Sequence, residues 1–218
     1  MPLTKSQNKT GSSRPPSPIL AFGLIAVTLG ALFLIAFRDI TTNPPAGDLI
    51  ESGSVAIEGT PLPAYALPDS AIGQLAPSLL VQSQTGEQIT LASDGETARV
   101  FGFFAHWCPH CQAELPVVSN LLDETDIPPG VEVIAVSTAV DPNANNYPPS
   151  AWFAAEAWTS TVLVDDERNS LASAMGVTAF PFWVVVDNNG AVTTRIAGSV
   201  EPSTLTDILQ DLAQGANT

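Results

Sequence analysis

The chain has 218 residues, 45% of them hydrophobic, with 22 acidic and seven basic side chains and a formal net charge of −15. That is room for one packed domain plus extra segments. All 22 acids lie at or after Asp39, against only Arg99, Arg168 and Arg195, which leaves residues 39–218 at about −19, a charge that argues against nucleic acid or an anionic lipid surface as a partner and suits solubility in an external medium.

Residues 1–17 are polar, rich in Ser, Lys and Pro, and predict a disordered tail. An uncharged apolar run, ILAFGLIAVTLGALFLIAF, fills residues 19–37. At helical rise it spans about 30 Å, one bilayer core, so residues 18–37 predict a transmembrane anchor. Lys5, Lys9 and Arg14 precede the run with no acid among them, and an acidic chain follows Arg38. The positive-inside rule then places residues 1–17 in the cytoplasm and everything beyond Arg38 outside, a single-pass cell-membrane protein. The alternative is a cleaved signal peptide. The run is longer than a usual signal core, and no clean A-x-A site follows it. Residues 38–70 hold Pro44, Pro45, Pro61, Pro63 and Pro68 with few large apolar side chains and predict an extended extracytoplasmic linker.

From residue 71 to about 215 the pattern is that of a packed domain. SLLVQSQTGEQITLA (78–92) predicts two short strands about Thr85-Gly86. ARVFGFFA (98–105) is a continuous apolar run of strand length and predicts a buried central strand. A helix is predicted from Cys108 to about Asp123, with Leu115, Val118, Leu121 and Leu122 on one face. VEVIAVST (131–138) predicts a second buried strand, 141–150 a loop, 150–158 a short helix and TVLVDD (161–166) another strand. ERNSLASAM (167–175) predicts a helix closed by Gly176. Residues 182–198 predict a hairpin turning at Asn189-Gly190, and 202–212 a last amphipathic helix. Helices between strands demand parallel neighbours, and the hairpin adds antiparallel ones. The expected fold is α/β: a mixed sheet covered by helices on both faces.

Both cysteines and both histidines of the chain lie in one stretch, FFAHWCPHCQAELP (103–116). Cys108 and Cys111 open the first helix, with Pro109 where a first-turn Pro is tolerated. The free N–H groups of that turn and the helix dipole favour a thiolate on Cys108. His110, when protonated, adds to that preference. Cys111 lies one turn along, close enough to close a disulfide with Cys108 or to resolve a mixed disulfide formed there. The chemistry expected is disulfide exchange with a substrate dithiol, with no cofactor. A structural zinc site needs about four ligands, and a helix cannot aim His106, Cys108, His110 and Cys111 at one tetrahedral centre.

This stretch resembles the thioredoxin superfamily, and within it the membrane-anchored TlpA/ResA-like thiol–disulfide oxidoreductases. The likeness runs from Gly73 to Leu212. GQLAP (73–77) is similar to the family's opening motif, FFAHWCPHC to its F-W-A-x-W-C-x-x-C, and Glu114 with Pro116 to its C-x-x-E-x-P. GVTAFPFWVVVD (176–187) is similar to its G-V-x-x-x-P and following strand. The resemblance implies a thioredoxin-like three-layer fold and a redox-active pair in Cys108 and Cys111. It implies tuning of that pair by Pro109 and His110, and a substrate groove at Trp107, Phe180 and Pro181. It also implies a cis Phe180–Pro181 bond. Gly102 stands where thioredoxin has a buried Asp, which moves the proton-transfer role toward Glu114. The residues leave two readings of Glu114 open: a half-buried base near Cys111, or an exposed acid favoured by the helix dipole.

The implied partners are exported protein thiols and disulfides, a membrane redox partner for recycling, and the bilayer through residues 18–37; nucleic acid is not among them. Direction stays open, because the scaffold is similar to reductases while the Pro109-His110 dipeptide matches that of the oxidant DsbA. Alternatives are a copper-handling protein using His106, Cys108, His110 and Cys111, and a redoxin-type peroxidase. Against the latter, Ala105 stands where those enzymes have Thr. His106 is expected on the surface beside the site, with a modest electrostatic role or none. Trp152, Phe153, Trp158 and Trp183 are expected in the core.

Overall fold

The computed structural model describes residues 48–92 and 97–215. The expected tail at 1–17, the anchor at 18–37 and the start of the linker lie outside the described residues. Among the described residues no helix is long and apolar enough to cross a membrane.

Among those residues, eight strands, β1 (Ala56–Glu58), β2 (Ser78–Ser83), β3 (Gln88–Leu91), β4 (Ala98–Phe104), β5 (Val131–Ser137), β6 (Val162–Val164), β7 (Phe182–Val186) and β8 (Val192–Ala197), form one sheet in the order β1-β2-β6-β5-β4-β7-β8, with β3 paired to β2. β4 (Ala98–Phe104) lies in the middle, parallel to β5 (Val131–Ser137) and antiparallel to β7 (Phe182–Val186). Its unbroken apolar run follows from that position, since a strand covered on both faces has no side left for polar residues. β6 (Val162–Val164) is parallel to β5, and β8 (Val192–Ala197) is antiparallel to β7. The hairpin between β7 and β8 turns at Gly190, φ +81°, a left-handed position that glycine takes without strain.

Strand periodicity sorts the side chains into two cores. Val100 and Phe104 of β4, with Trp183 and Val185 of β7, meet helices α1 (Pro109–Glu124), α2 (Pro149–Ala155) and α4 (Pro202–Gly215). Those helices contribute Leu115, Val118, Trp152, Phe153, Leu205 and Leu209. On the other face, Phe101 and Phe103, with Phe182, Val184 and Val186, pack on Leu171 and Ala172 of α3 (Ser170–Ala174) and on Leu62, Ala71 and Ala76. The sheet is therefore mixed and covered on both faces, as expected.

Residues 48–70 depart from the expected linker. They are hydrogen-bonded along the domain rather than tethering it. Ile50 N–H donates to Gln84 O at 2.9 Å, Leu62 N–H to Ala174 O at 2.8 Å and Tyr65 N–H to Gly176 O at 2.9 Å. Ala56–Glu58 forms β1 against β2 (Ser78–Ser83), which also pairs with β3 (Gln88–Leu91). Asp69 carries a buried ion pair to Arg195 of β8, with Arg195 Nε 2.9 Å from Oδ2. Proline spacing hid this, because the segment's few apolar side chains, Val55, Ile57, Leu62 and Tyr65, follow no regular period, and backbone hydrogen bonds and one ion pair complete its attachment. The compact unit begins at Asp48, not at residue 71.

Candidate active site

The site forms where β4 ends and α1 begins. Cys108 is the N-cap of α1, in extended conformation (φ −75°, ψ 121°), and Pro109 occupies the first helical turn. The helix starts there because Pro109 needs no N–H partner and presets a helical φ. Cys108 is nearly buried and Cys111 fully so, and both are free thiols. Pro109 and His110 face solvent. The Phe180–Pro181 bond is cis, and Cys108 Sγ lies 3.5 Å from Phe180 O. Trp107 is 40% exposed, its ring edge-on to Phe180 at 6.3 Å between centroids. The structure thus brings Trp107, Cys108, Phe180 and Pro181 together at one surface, with Cys111 beneath.

Glu114 resolves the choice left open by the sequence. It lies in the second turn of α1 and is only 4% exposed. Oε1 accepts hydrogen bonds from Trp183 Nε1 and from Val200 N–H, both at 2.9 Å. Oε2 is buried and has no hydrogen-bond partner. Burial pushes the Glu114 carboxyl above the usual carboxylate range, opposed first by the Ser199 hydroxyl and then by the Val200 and Trp183 donors. Burial also pushes the Cys111 thiol well above the ordinary thiol range, with smaller contributions in the same direction from Cys108 and Glu114. A thiol and a carboxyl held near each other, both with their charged forms disfavoured, are suited to passing one proton.

His106 is not on the surface. It is 1% exposed, and both ring nitrogens are used: Nδ1–H donates to Asn145 O at 2.7 Å, and Nε2 accepts from Asp141 N–H at 3.1 Å. That pattern requires the neutral ring with its proton on Nδ1. His106 fastens the 141–146 loop instead of tuning a thiolate. A ring committed on both sides cannot also be a ligand, so the proposed His/Cys copper set does not assemble, and among the described residues no His, Cys, Asp and Glu group of three is placed to hold a metal.

Several supporting residues were not singled out in the sequence. Trp183 lies in the core, as expected, but its donation to Glu114 was not foreseen. Trp107 Nε1–H donates to Ala139 O at 2.7 Å. Ala139 N–H in turn donates to Asn169 Oδ1 at 2.9 Å, and Thr138 Oγ1 to Asp165 Oδ2 at 2.8 Å. Asp165 also accepts from Leu171 N–H and Ala172 N–H at the start of α3. Burial pushes its carboxyl up, and those amides oppose the shift. An Asp pair ahead of a predicted helix is a capping signal that was available in the sequence.

Residues 59–212 match the redoxin family profile. The chain belongs to the redoxin family. This redoxin is 28% identical over 142 residues to the thiol-disulfide oxidoreductase ResA of Geobacillus thermodenitrificans, covering 65% of this chain and 76% of that one. It is 27% identical over 153 residues to the thiol:disulfide interchange protein HelX of Rhodobacter capsulatus, covering 69% and 81%. Among solved structures it is similar to MTB DsbF, at 28% identity and TM-score 0.52, covering 64% of this chain and 96% of that one. A putative protein disulfide isomerase of Bacteroides thetaiotaomicron, at 17% identity and TM-score 0.55, covering 67% and 91%, shares the fold. Relatives, fold and motif place this redoxin among the thioredoxin-like thiol–disulfide oxidoreductases, of the TlpA/ResA type.

Proposed function

We propose that this redoxin is a membrane-anchored, extracytoplasmic oxidoreductase that exchanges disulfides with exported proteins through Trp107-Cys108-Pro109-His110-Cys111. One observation carries the reading: Cys108 caps a helix N-terminus under the Phe180 carbonyl, with Cys111 buried one turn on and Glu114 beneath it. In the reducing direction, the Cys108 thiolate attacks a substrate disulfide and one substrate thiolate leaves. Cys111 then attacks Cys108 Sγ, its proton passes to Glu114, and the second substrate thiolate departs. The Cys108–Cys111 disulfide and a substrate dithiol remain, and the oxidising direction is the reverse. A groove of about 620 Å³ opens on the side of Trp107 that faces Ala139, Tyr147 and Asp166, room for an extended segment next to the motif.

The anchor at 18–37 and the cytoplasmic N-terminus are supported by the apolar run and by the Lys/Arg placement around it. With the domain outside, recycling falls to a redox partner in the membrane. Protease protection of membrane vesicles tests this arrangement: digestion of the domain only from the outer side is expected, and digestion from the inner side refutes it.

The reduction potential of the Cys108–Cys111 couple in the full chain tests the chemistry and settles direction. A value near DsbA's, about −120 mV, means an oxidant, and one near thioredoxin's, about −270 mV or lower, means a reductase. Absence of any reversible couple refutes the oxidoreductase mechanism.

A further inference from the structure

The two oxygens of Glu114 are not equivalent. Oε1 faces two groups that can only donate, the Trp183 indole N–H and the Val200 backbone N–H. A proton on Oε1 would point into those donors. Oε2 is buried with no partner in hydrogen-bond geometry, the Ser199 hydroxyl being the other group that acts on this carboxyl, and such an atom in a folded protein calls for an explanation, a working proton site being one. Trp183 reaches Glu114 because of what stands opposite it. It pairs with Gly102 across β4 and β7, and a Cβ at Gly102 would lie 2.8 Å from Trp183 Cζ3. Only a residue without a side chain lets the indole lie there.

We infer that Trp183 is a positioning residue for disulfide exchange: its N–H holds Oε1 of Glu114 and leaves Oε2 as the oxygen that takes the proton from Cys111. The inference rests on Glu114 being the proton acceptor proposed above. Removing the indole donor withdraws a hydrogen bond from the ionised carboxylate, so the carboxyl holds its proton to higher pH. The titratable groups acting on it are otherwise unchanged: Cys111, with Cys108 beside it, on its own helix, and Glu201 ahead of α4.

The test uses the full-length dithiol protein and excess dithiobis(nitrobenzoate), an aromatic disulfide that supplies the oxidant. Cys108 attacks it and releases one thionitrobenzoate. Cys111 then attacks Cys108 Sγ, giving its proton to Glu114, and the second thionitrobenzoate leaves. The net change is one dithiol oxidised to a disulfide and one reagent reduced to two thiolates. The second rate is first-order in the mixed disulfide, in which Cys108 carries no proton, so following it against pH reads the Cys111 proton step whatever the amount of folded protein.

Trp183→Phe is expected to move the midpoint of that second rate up by about one pH unit, which is about tenfold on the acid side. Benzothienylalanine at position 183, a Trp isostere lacking the N–H, is expected to do the same and serves where Phe loosens the core. Glu114→Gln is expected to abolish the pH limb, and Trp183→Phe added to it to change nothing more. If Glu114→Gln abolishes the limb while neither replacement at 183 moves the midpoint upward, the role of Trp183 is overturned and that of Glu114 stands. If Glu114→Gln leaves the limb intact, the proton-acceptor reading fails, and this inference with it.

Discussion

Gly102 and Trp183 face each other across the central strands, and the glycine exists for the indole. A Cβ at 102 would meet Trp183 Cζ3 at 2.8 Å and Phe104 Cε2 at 2.7 Å, both on rings almost wholly shielded from solvent. Neither ring has free space to retreat into, since Phe104 also packs edge-on to Trp183, Phe153 and Trp158. Gly102→Ala is therefore expected to destabilise the domain by about 1–3 kcal/mol, the cost of overpacking a dense core. Trp183→Phe removes the outer ring atoms, so Gly102→Ala should cost less in that background. Urea unfolding of the two single variants and the double checks this, with non-additive losses the expected result.

Arg195 is sequestered behind residues 48–70. It donates to Asp69, to Pro63 O at 2.9 Å and to Met175 O at 3.1 Å. The guanidinium holds the Asp69 carboxyl below its ordinary 3.8. Asp69→Asn leaves a buried cation without its counter-charge and is expected to cost about 3–5 kcal/mol at neutral pH. The sign with pH follows from the lowered carboxyl: its contribution is complete above 3.8 and is lost as pH falls through the folded value. A chain truncated to begin at residue 71 loses Asp69 and β1 together, and is expected to stay unfolded where one beginning at 48 folds. Far-ultraviolet circular dichroism of the two truncated chains distinguishes this from a dispensable tether.

His106 is the fastening of the loop that carries Asp141 to Asn146. Its backbone O also accepts from Gln112 Nε2 at 2.9 Å and Asn146 Nδ2 at 3.3 Å. His106→Ala empties a buried position and strands the Asp141 N–H and the Asn145 carbonyl, at a cost of about 2–3 kcal/mol. Hydrogen exchange at the Asp141 amide should quicken by more than tenfold. An unchanged exchange rate would mean that the loop is held by other contacts.

The dithiol form should weaken in alkali. Burial, the largest cause, raises the Cys111 thiol above its ordinary 9.0. The unfolded chain then loses that proton at lower pH than the folded one, so the contribution to stability is complete below 9 and drains away as pH rises. The slope expected from this one group is up to about 1.4 kcal/mol per pH unit. The disulfide form has no such thiol. Thermal melts of the two forms at pH 8 and pH 10 should therefore diverge in favour of the disulfide, and a constant gap would contradict the burial argument.

What the sequence by itself determined is whatever follows from local order. The apolar run 98–105 had to be a covered strand, Cys108-Pro109 had to open a helix, and Asn189-Gly190 had to turn a hairpin. The motif carried the fold and the chemistry of Cys108 and Cys111 for the same reason, since two sulfurs one helical turn apart need no distant residue to be read. The tertiary structure alone decided the environments. Glu114 is buried because Trp183 and Val200, 69 and 86 residues away, come to it. His106 is buried because the 141–146 loop folds over it, and residues 48–70 belong to the domain because Arg195 and the backbones of Ala174 and Gly176 receive them. Burial, hydrogen-bond partners and proton affinity are set by groups remote along the chain, and one-dimensional spacing carries no record of which of them will meet.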